Sequence, residues 1–330
     1  MTASKLRGSR VLITGGAGLV GSHIADRLVY EDVAEVVVLD NFVRGRIENL
    51  ERAKHRLPRL TVVEGDITHP ATVREAMHGI DFVFHQAALR ITQCAEMPRL
   101  AVDSLICGTF NVLEAAVEAG VRKVVAASSA SVYGEPSYVP MDESHPFNNR
   151  TLYGACKVAD EQLLRSFNEM YGLQTVALRY FNVYGPRMDA FGVYTEVMIR
   201  WLERLAQNHR PVIFGDGMQT MDFVFVGDVA EANVLAMLSE ASDDVFNVGT
   251  GKETSLRELC RRLCDAAGRP DVEPIFEPAR AVNPVTRRLA ATLRAREGIG
   301  FVATTGLDEG LAHLVHWYRA AVQPELAVTR

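Results

Sequence analysis

Long apolar runs, cysteines at metal-binding spacing and basic tracts are all scarce in this sequence, and each scarcity excludes something. No apolar run approaches the roughly 20 residues of a membrane-spanning helix, so a membrane protein is not expected. Met1 to Arg10 is polar and basic, and glycines interrupt the apolar stretch behind it, which is not the form of a secretory leader. Five cysteines (Cys94, Cys107, Cys156, Cys260, Cys264) make an odd set with no CxxC pair. Reduced thiols, no disulfide, no structural zinc and a cytoplasmic location are expected. Cys260 and Cys264 can share a helix face, but no histidine or carboxylate cluster accompanies them, so core packing is their expected role. A net charge of −6 and the lack of a Lys/Arg-rich block leave no basic footprint for nucleic acid. With 23% charged and 48% hydrophobic residues, the chain is not a disordered one either.

What is present is an alternation of short β-branched runs with longer helical patterns, the sequence form of βαβ units in a parallel sheet. Strands are expected at Arg10–Thr14, Glu35–Asp40, Leu60–Glu64, Phe82–His85, Lys123–Ser128 and Thr175–Arg179. Helices are expected at about Ser22–Tyr30, Thr72–His78, Arg99–Ala119 and Tyr153–Tyr171. Val36 to Leu39 is apolar at every position, as in a strand covered on both faces, so the fold class is α/β with a doubly wound parallel sheet. After Arg179, Pro186, Gly192, Pro211, Gly215 and Gly217 punctuate shorter elements and the rhythm is lost. It returns at Phe223–Val226 and Asp244–Val248, where the chain is expected to cross back to the sheet. A length of 330 residues also favours two lobes over one core.

The first strand runs into Gly15-Gly16-Ala17-Gly18-Leu19-Val20-Gly21 and then a helix. Glycines spaced Gly15-x-x-Gly18-x-x-Gly21 let a pyrophosphate approach the backbone, where N–H groups at the helix N-terminus meet its charge. Gly15, Gly18, Leu19, Val20 and Gly21 are therefore candidate cofactor residues. Asp40 closes the second strand 19 residues after Gly21. A carboxylate there accepts hydrogen bonds from the ribose hydroxyls and repels a 2′-phosphate, which favours NAD over NADP. Asn41 follows it. Two further strand ends suit the same cofactor: Asp66 and Ile67, with Asp66 on the adenine amine, and Ala87 and Ala88, whose small size lets the cofactor pass close. Residues 1–179 and 222–249 are thus assigned to a dinucleotide-binding (Rossmann) domain, and 180–221 and 250–330 to a smaller mixed α/β substrate lobe.

Tyr153 and Lys157 stand at i and i+4, one above the other on a helix face. A neighbouring ammonium stabilises the phenolate that a general base requires. Just upstream, Ser128-Ser129-Ala130-Ser131-Val132-Tyr133-Gly134 follows an apolar strand and offers a hydroxyl to share a substrate proton.

With these residues in view, the chain resembles the extended short-chain dehydrogenase/reductase family and, within it, the nucleotide-sugar 4-epimerases. The resemblance covers nearly the whole chain, through the glycine turn, Asp40-Asn41, Gly65-Asp66-Ile67, His85-Gln86-Ala87-Ala88 and Gly108-Thr109 with Asn111. It continues through the serine segment, Tyr153/Lys157, Arg179 to Pro186 and Asp222-Phe223. It implies Ser129 and Tyr153 at the sugar C4 hydroxyl with Ala130 and Ser131 adjoining, and Tyr133 beside the sugar. It further implies Lys157 on the nicotinamide ribose, Tyr180 as a wall near the nicotinamide, Asn182 near the diphosphate, and Val212 and Phe214 along the nucleobase. Family members commonly pair the helices matching Arg99–Ala119 and Tyr153–Tyr171 into a four-helix bundle, so a homodimer is expected.

Two departures stand out. Met221 replaces an arginine that holds the diphosphate in the family, leaving Arg280, Arg287 or Arg288 to supply the contact, and Arg288 is taken as the substrate residue. Leu105 replaces an asparagine three residues before Gly108. The related 4,6-dehydratases carry an Asp-Glu pair where Ala130 and Ser131 stand, and the decarboxylases a glutamate at Ser131. Lacking these proton carriers, the chain is expected to oxidise and reduce C4 of a nucleotide-linked, UDP-type hexose without elimination. A reductase, dehydratase or decarboxylase of the same family is the alternative. A non-catalytic NAD-sensing module is a third reading, which the retention of both Tyr153 and Lys157 disfavours.

Overall fold

Parallel strands need long crossovers, and the helical stretches between the apolar runs supply them. In the computed structural model, which describes residues 4–192, 196–278 and 286–324, six strands come from the first half: β1 (Arg10–Thr14), β2 (Glu35–Asp40), β3 (Leu60–Glu64), β4 (Phe82–His85), β5 (Lys123–Ser129) and β6 (Gln174–Tyr180). With Asp244–Val248 they form a seven-stranded parallel sheet in the order Asp244–Val248, β6, β5, β4, β1, β2, β3. Side chains alternate across it. Val11 and Ile13 join the core formed with helices Leu19–Leu28 and Val226–Leu238. Leu12 faces the opposite core, with helices Pro70–Met77, Gly108–Glu118 and Leu152–Tyr171. Both faces are dry, which is why Glu35–Asp40 is buried throughout. The order reverses between β1 and β4, and the crevice of such a sheet opens there, at the carboxyl ends of the strands.

The second lobe has its own core, built by Trp201, Leu202, Leu259, Leu263, Leu311 and Leu314 from helices Val197–Ala206, Leu256–Ala266 and Leu307–Trp317. Cys260 and Cys264 are buried in it, and all five cysteines are free thiols.

Three expectations need correction. Phe223–Phe225 does not rejoin the main sheet; it pairs with Asn182–Tyr184 in a separate two-stranded sheet, and Asp244–Val248 alone crosses back. Residues 250–330 do not all belong to the substrate lobe, because helix Leu293–Ile299 and Phe301 lay Ala295, Ile299 and Phe301 into the core beside Phe246. Finally, Pro98–Glu118 is one continuous helical stretch, with a π-helical turn at Val102–Cys107. By length and composition it could cross a membrane, with mean hydropathy 1.5, but half of its most apolar part is buried within the fold. The polar Asp103, Asn111 and Glu114 break the run when it is read along the sequence.

Candidate active site

The carboxyl ends of β1, β2, β4, β5 and β6 open into one cleft of about 690 Å³. At the β1 end, Gly15 has φ 65° and packs so closely that a Cβ would stand 2.7 Å from the Ala87 nitrogen. A Cβ on Gly21 would collide with the Gly15 carbonyl and Gly16 Cα. Only glycine allows this turn, and it hands the chain to helix Leu19–Leu28, whose first turn carries no acid to compete for an anion. At the end of β2, Asp40 accepts the N–H of Ala17 on Oδ2 and of Phe42 on Oδ1, both at 2.9 Å. Burial raises its pKa and these N–H bonds partly offset the rise. Each oxygen keeps a lone pair for a ligand hydroxyl. Next to it, Asp66 accepts from the Asn41 amide and from Thr68 N–H, both at 2.8 Å. Burial opposes the effect, but these two bonds hold the Asp66 pKa below the usual range.

The catalytic candidates sit at the middle of the cleft. Thr151 caps helix Leu152–Tyr171 by accepting Gly154 N–H at 3.1 Å, which fixes the first turn and so the direction of Tyr153. One turn on, Lys157 Nζ donates to the Ala127 carbonyl at 2.9 Å and to Asp160 Oδ2 at 3.1 Å. Burial alone would strip its proton, but Asp160, with Tyr153 and Cys156, reverses the balance and holds its pKa above the ordinary lysine value. Ser129, at the end of β5, accepts Ser131 N–H at 3.1 Å and keeps its own proton to donate. Beneath it, Ser128 donates to Glu161 at 2.5 Å, and Arg179 grips the same carboxylate at 2.9 and 2.7 Å.

All the residues expected from the sequence to hold a cofactor line this one cleft: the glycine turn with Leu19 and Val20, Asp40 and Asn41, Asp66 and Ile67, Ala87 and Ala88, and Tyr153, Lys157 and Tyr180. Ser129, Ser131, Asn182 and Arg288 line it too. Four other candidates do not. Tyr133 is wholly buried behind the cleft; its hydroxyl donates to Asn247 Oδ1 at 2.6 Å and accepts from Arg179 at 2.9 Å, so it supports the wall and cannot lie beside a sugar. Ala130 is packed in the cluster around Tyr133. Val212 and Phe214 belong to a short strand paired with Ile275–Glu277 and stand apart from the cleft.

The structure separates the arginine candidates. Arg280 lies outside the described residues. Arg287 points to solvent in a bidentate pair with Glu253, at 2.6 and 2.8 Å. Arg288, its neighbour on a two-residue strand, faces the opposite way and is 8% exposed. Its register partner on the adjacent strand is Met221, so a guanidinium returns beside the position that lost one. No described carboxylate lies within ion-pair distance, Nε has no hydrogen-bond partner, and burial pulls its pKa below the usual arginine value, with Glu135 and Tyr153 only partly offsetting this.

Sequence reasoning missed several residues. Arg44 and Arg90 line the cleft, with Asp189 and Glu196 as counter-charges at 3.4 Å. Both follow residues already singled out, Asp40-Asn41 and Ala87-Ala88, and a cation after a nucleotide-binding strand end was the available signal. Tyr180 is fixed by its hydroxyl, which donates to Gln86 Oε1 at 2.9 Å and accepts from Asn233 at 2.8 Å. Asn233 sits mid-helix and gave no signal.

The comparisons agree with this geometry. Residues 11–249 match the model of the NAD dependent epimerase/dehydratase family. A UDP-glucose 4-epimerase of Mycolicibacterium smegmatis is 40% identical over 316 residues, 94% of this chain and 98% of that one. The solved structure of a Thermus thermophilus UDP-glucose 4-epimerase in complex with NAD is similar at a TM-score of 0.85 and 34% identity, over 95% of this chain and 100% of that one. A UDP-N-acetyl-alpha-D-glucosaminuronate decarboxylase of Bacillus cytotoxicus is 30% identical over 321 residues, 94% and 98% of the two chains. The chain belongs to the NAD dependent epimerase/dehydratase family, and its cofactor is NAD.

Proposed function

We propose that the protein interconverts the C4 epimers of a UDP-linked hexose. The observation that carries this reading is the corner around Tyr153 and Ser129: the neighbouring position that faces the cleft is Ser131, and Ala130 is turned away from it. Elimination or decarboxylation needs an ionisable group beside C5, C6 or the carboxylate. Of the acids lining the cleft beyond the nucleotide end, Asp189 and Glu196 pair with Arg44 and Arg90, and the acids that follow the serine segment are committed elsewhere. Glu143 accepts Asn247 N–H at 2.7 Å, Asp142 accepts the Tyr138 hydroxyl at 3.0 Å, and neither lines the cleft. The UDP moiety is inferred from the relatives.

The glycine turn would hold the NAD pyrophosphate, Asp40 the adenosine ribose, Asn41 and Asp66 the adenine, and Lys157 the nicotinamide ribose. When bound, NAD supplies the hydride acceptor and donor at C4. Tyr153, as phenolate, takes the proton of the C4 hydroxyl, while Ser129 donates to the same oxygen and fixes its position. The Lys157 ammonium stabilises the phenolate before the transfer. Arg288 and Asn182 hold the diphosphate, so the 4-keto sugar turns about an anchored nucleotide and receives its hydride on the other face. Tyr153 then returns the proton, and atoms and charge balance over the cycle. Incubation with a panel of UDP-sugars tests this, with NMR of the products. A C4-inverted product is expected; carbon dioxide from a UDP-uronic acid or a 4-keto-6-deoxy sugar would instead select the decarboxylase or dehydratase alternative.

We also propose a homodimer through helices Gly108–Glu118 and Leu152–Tyr171. Their outer faces leave Phe110, Met170 and Tyr171 exposed, and Phe110 stacks edge-on against Phe167 at 5.6 Å. Sedimentation at micromolar concentration decides it, a monomeric mass excluding the dimer. Five free thiols suit a reducing compartment, and we place the enzyme in the cytoplasm.

A further inference from the structure

The helix that carries Tyr153 and Lys157 also buries a carboxylate for which the glycine turn, the nucleotide and the sugar have no use. Asp160 is 3% exposed and stands three residues after Lys157, so the two meet on one face of the helix. Its Oδ2 accepts from Lys157 Nζ at 3.1 Å, and the Ala127 carbonyl accepts a second N–H at 2.9 Å. An ammonium has three, so the third is left for the cleft.

The surroundings offer Lys157 no other counter-charge. On its own helix, Tyr153 and Cys156 face it, and Glu161 is committed to Arg179 and Ser128. From β4 comes His85, kept neutral with a pKa of about 3 by burial and by Lys157 itself. From helix Ile91–Glu96 comes Cys94, whose thiol burial pushes up to about 11. From helix Gly108–Glu118 comes Thr109, whose hydroxyl donates to the Leu105 carbonyl and meets His85 Nε2 at 3.0 Å. Leu105 itself presents an apolar side chain, so the charged partner of the lysine comes from the lysine's own helix and its neutral acceptor from β5. The second oxygen of Asp160, Oδ1, has no hydrogen-bond partner. Burial raises the Asp160 pKa, and the ion pair with Lys157, helped by the Thr109 hydroxyl, partly offsets this and keeps a counter-charge beside the ammonium.

We propose that Asp160 is a positioning residue for the reaction: it clamps the Lys157 ammonium between the Ala127 carbonyl and the cleft, and keeps it protonated through the alkaline range so that Tyr153 always works beside a cation. Without Asp160, a buried ammonium with a single carbonyl acceptor loses its proton readily, and a neutral amine stabilises no phenolate.

The proposal rests on Tyr153 and Lys157 being the catalytic pair, but its test needs no substrate. In protein made with isotope-labelled lysine, the ε-carbon NMR signal of Lys157 is assigned by its disappearance in Lys157→Arg and followed against pH in native enzyme, Asp160→Asn and Asp160→Glu. The expected result is a midpoint at or above the ordinary lysine value of about 10.4 in native enzyme. It should fall by at least about one pH unit in Asp160→Asn and recover in Asp160→Glu. The alkaline limb of kcat should move down with it while KM stays unchanged. Equal midpoints in native enzyme and Asp160→Asn would overturn the proposal. If the variants do not fold, a native midpoint below the ordinary value overturns it and one at or above supports it. Failure of the epimerase reading looks different: no C4 epimer forms although the midpoints shift as expected.

Discussion

Replacing Arg288 with methionine should stabilise the ligand-free protein and weaken its hold on the nucleotide. The two effects share one cause. Arg288 is 8% exposed, its Nε has no hydrogen-bond partner, and no described carboxylate pairs with it. A buried donor left unsatisfied costs about 1–3 kcal/mol, which methionine removes while keeping much of the apolar stem beside Met221. At roughly 2–4 °C per kcal/mol, thermal unfolding without ligand should shift upward by a few degrees. Each hydrogen bond to a phosphate oxygen contributes about 1.5–3 kcal/mol, so losing one should weaken UDP binding by about 10- to 150-fold. Differential scanning fluorimetry without ligand and calorimetric titration with UDP measure the two quantities separately. A lower Tm with unchanged UDP affinity would refute the reasoning and make Arg288 a structural residue.

Three further outcomes follow from the cleft. Tyr153→Phe should lower turnover by about 10²- to 10⁴-fold and leave the NAD content unchanged; unaltered turnover excludes Tyr153 as the base. Gly21→Ala drives a Cβ into the backbone of Gly15 and Gly16, and should cost about 1–3 kcal/mol and empty the protein of NAD. Normal stability with full NAD content would contradict the turn described. His85 is 3% exposed, and burial, with Lys157 beside it, depresses its pKa from 6.5 to about 3. Between those values the unfolded chain binds a proton that the folded one refuses, so stability falls as pH drops below 6.5. From about pH 7.5 to about pH 5.5 this loss is about 1.4 kcal/mol, read by urea unfolding, and His85→Gln should lack it.

The strands of the main sheet were legible because the inner ones lie dry on both faces and read as apolar runs, and the half-buried edge strand Leu60–Glu64 is still rich in β-branched residues, so four of the six expected from the first half match to the residue. The dinucleotide half of the site was legible for a related reason: strand ends and the glycine turn are local features that the sheet delivers to one crevice. The substrate half was legible only in part: Ser129, Ser131, Asn182 and Arg288 line the cleft, and Ala130, Tyr133, Val212 and Phe214 do not. Tyr133 lies four residues beyond Ser129, yet the chain turns through a short 3-10 segment at Ala130–Val132 and sends its ring into the wall against Arg179 and Asn247. Spacing along the sequence carries no trace of that turn. Arg288 was taken as the substrate residue from the sequence, and the structure supplies the reason: on a two-residue strand it looks inward beside Met221 while Arg287 looks out. Asp160 escaped notice because a carboxylate three residues after a lysine on a helix reads as a solvated pair, and only tertiary packing, which leaves it 3% exposed, makes it dry.

The central claim is that hydride leaves C4 and returns to C4 of the same molecule, and a substrate deuterated at that carbon tests it most directly. Incubated with UDP-glucose carrying deuterium at C4, or with whichever UDP-sugar the panel selects, the enzyme should yield both epimers with the label still on C4 and none in the water. Deuterium found at C6, washed out into solvent, or left on C4 with its configuration unchanged in every sugar of the panel would contradict the account.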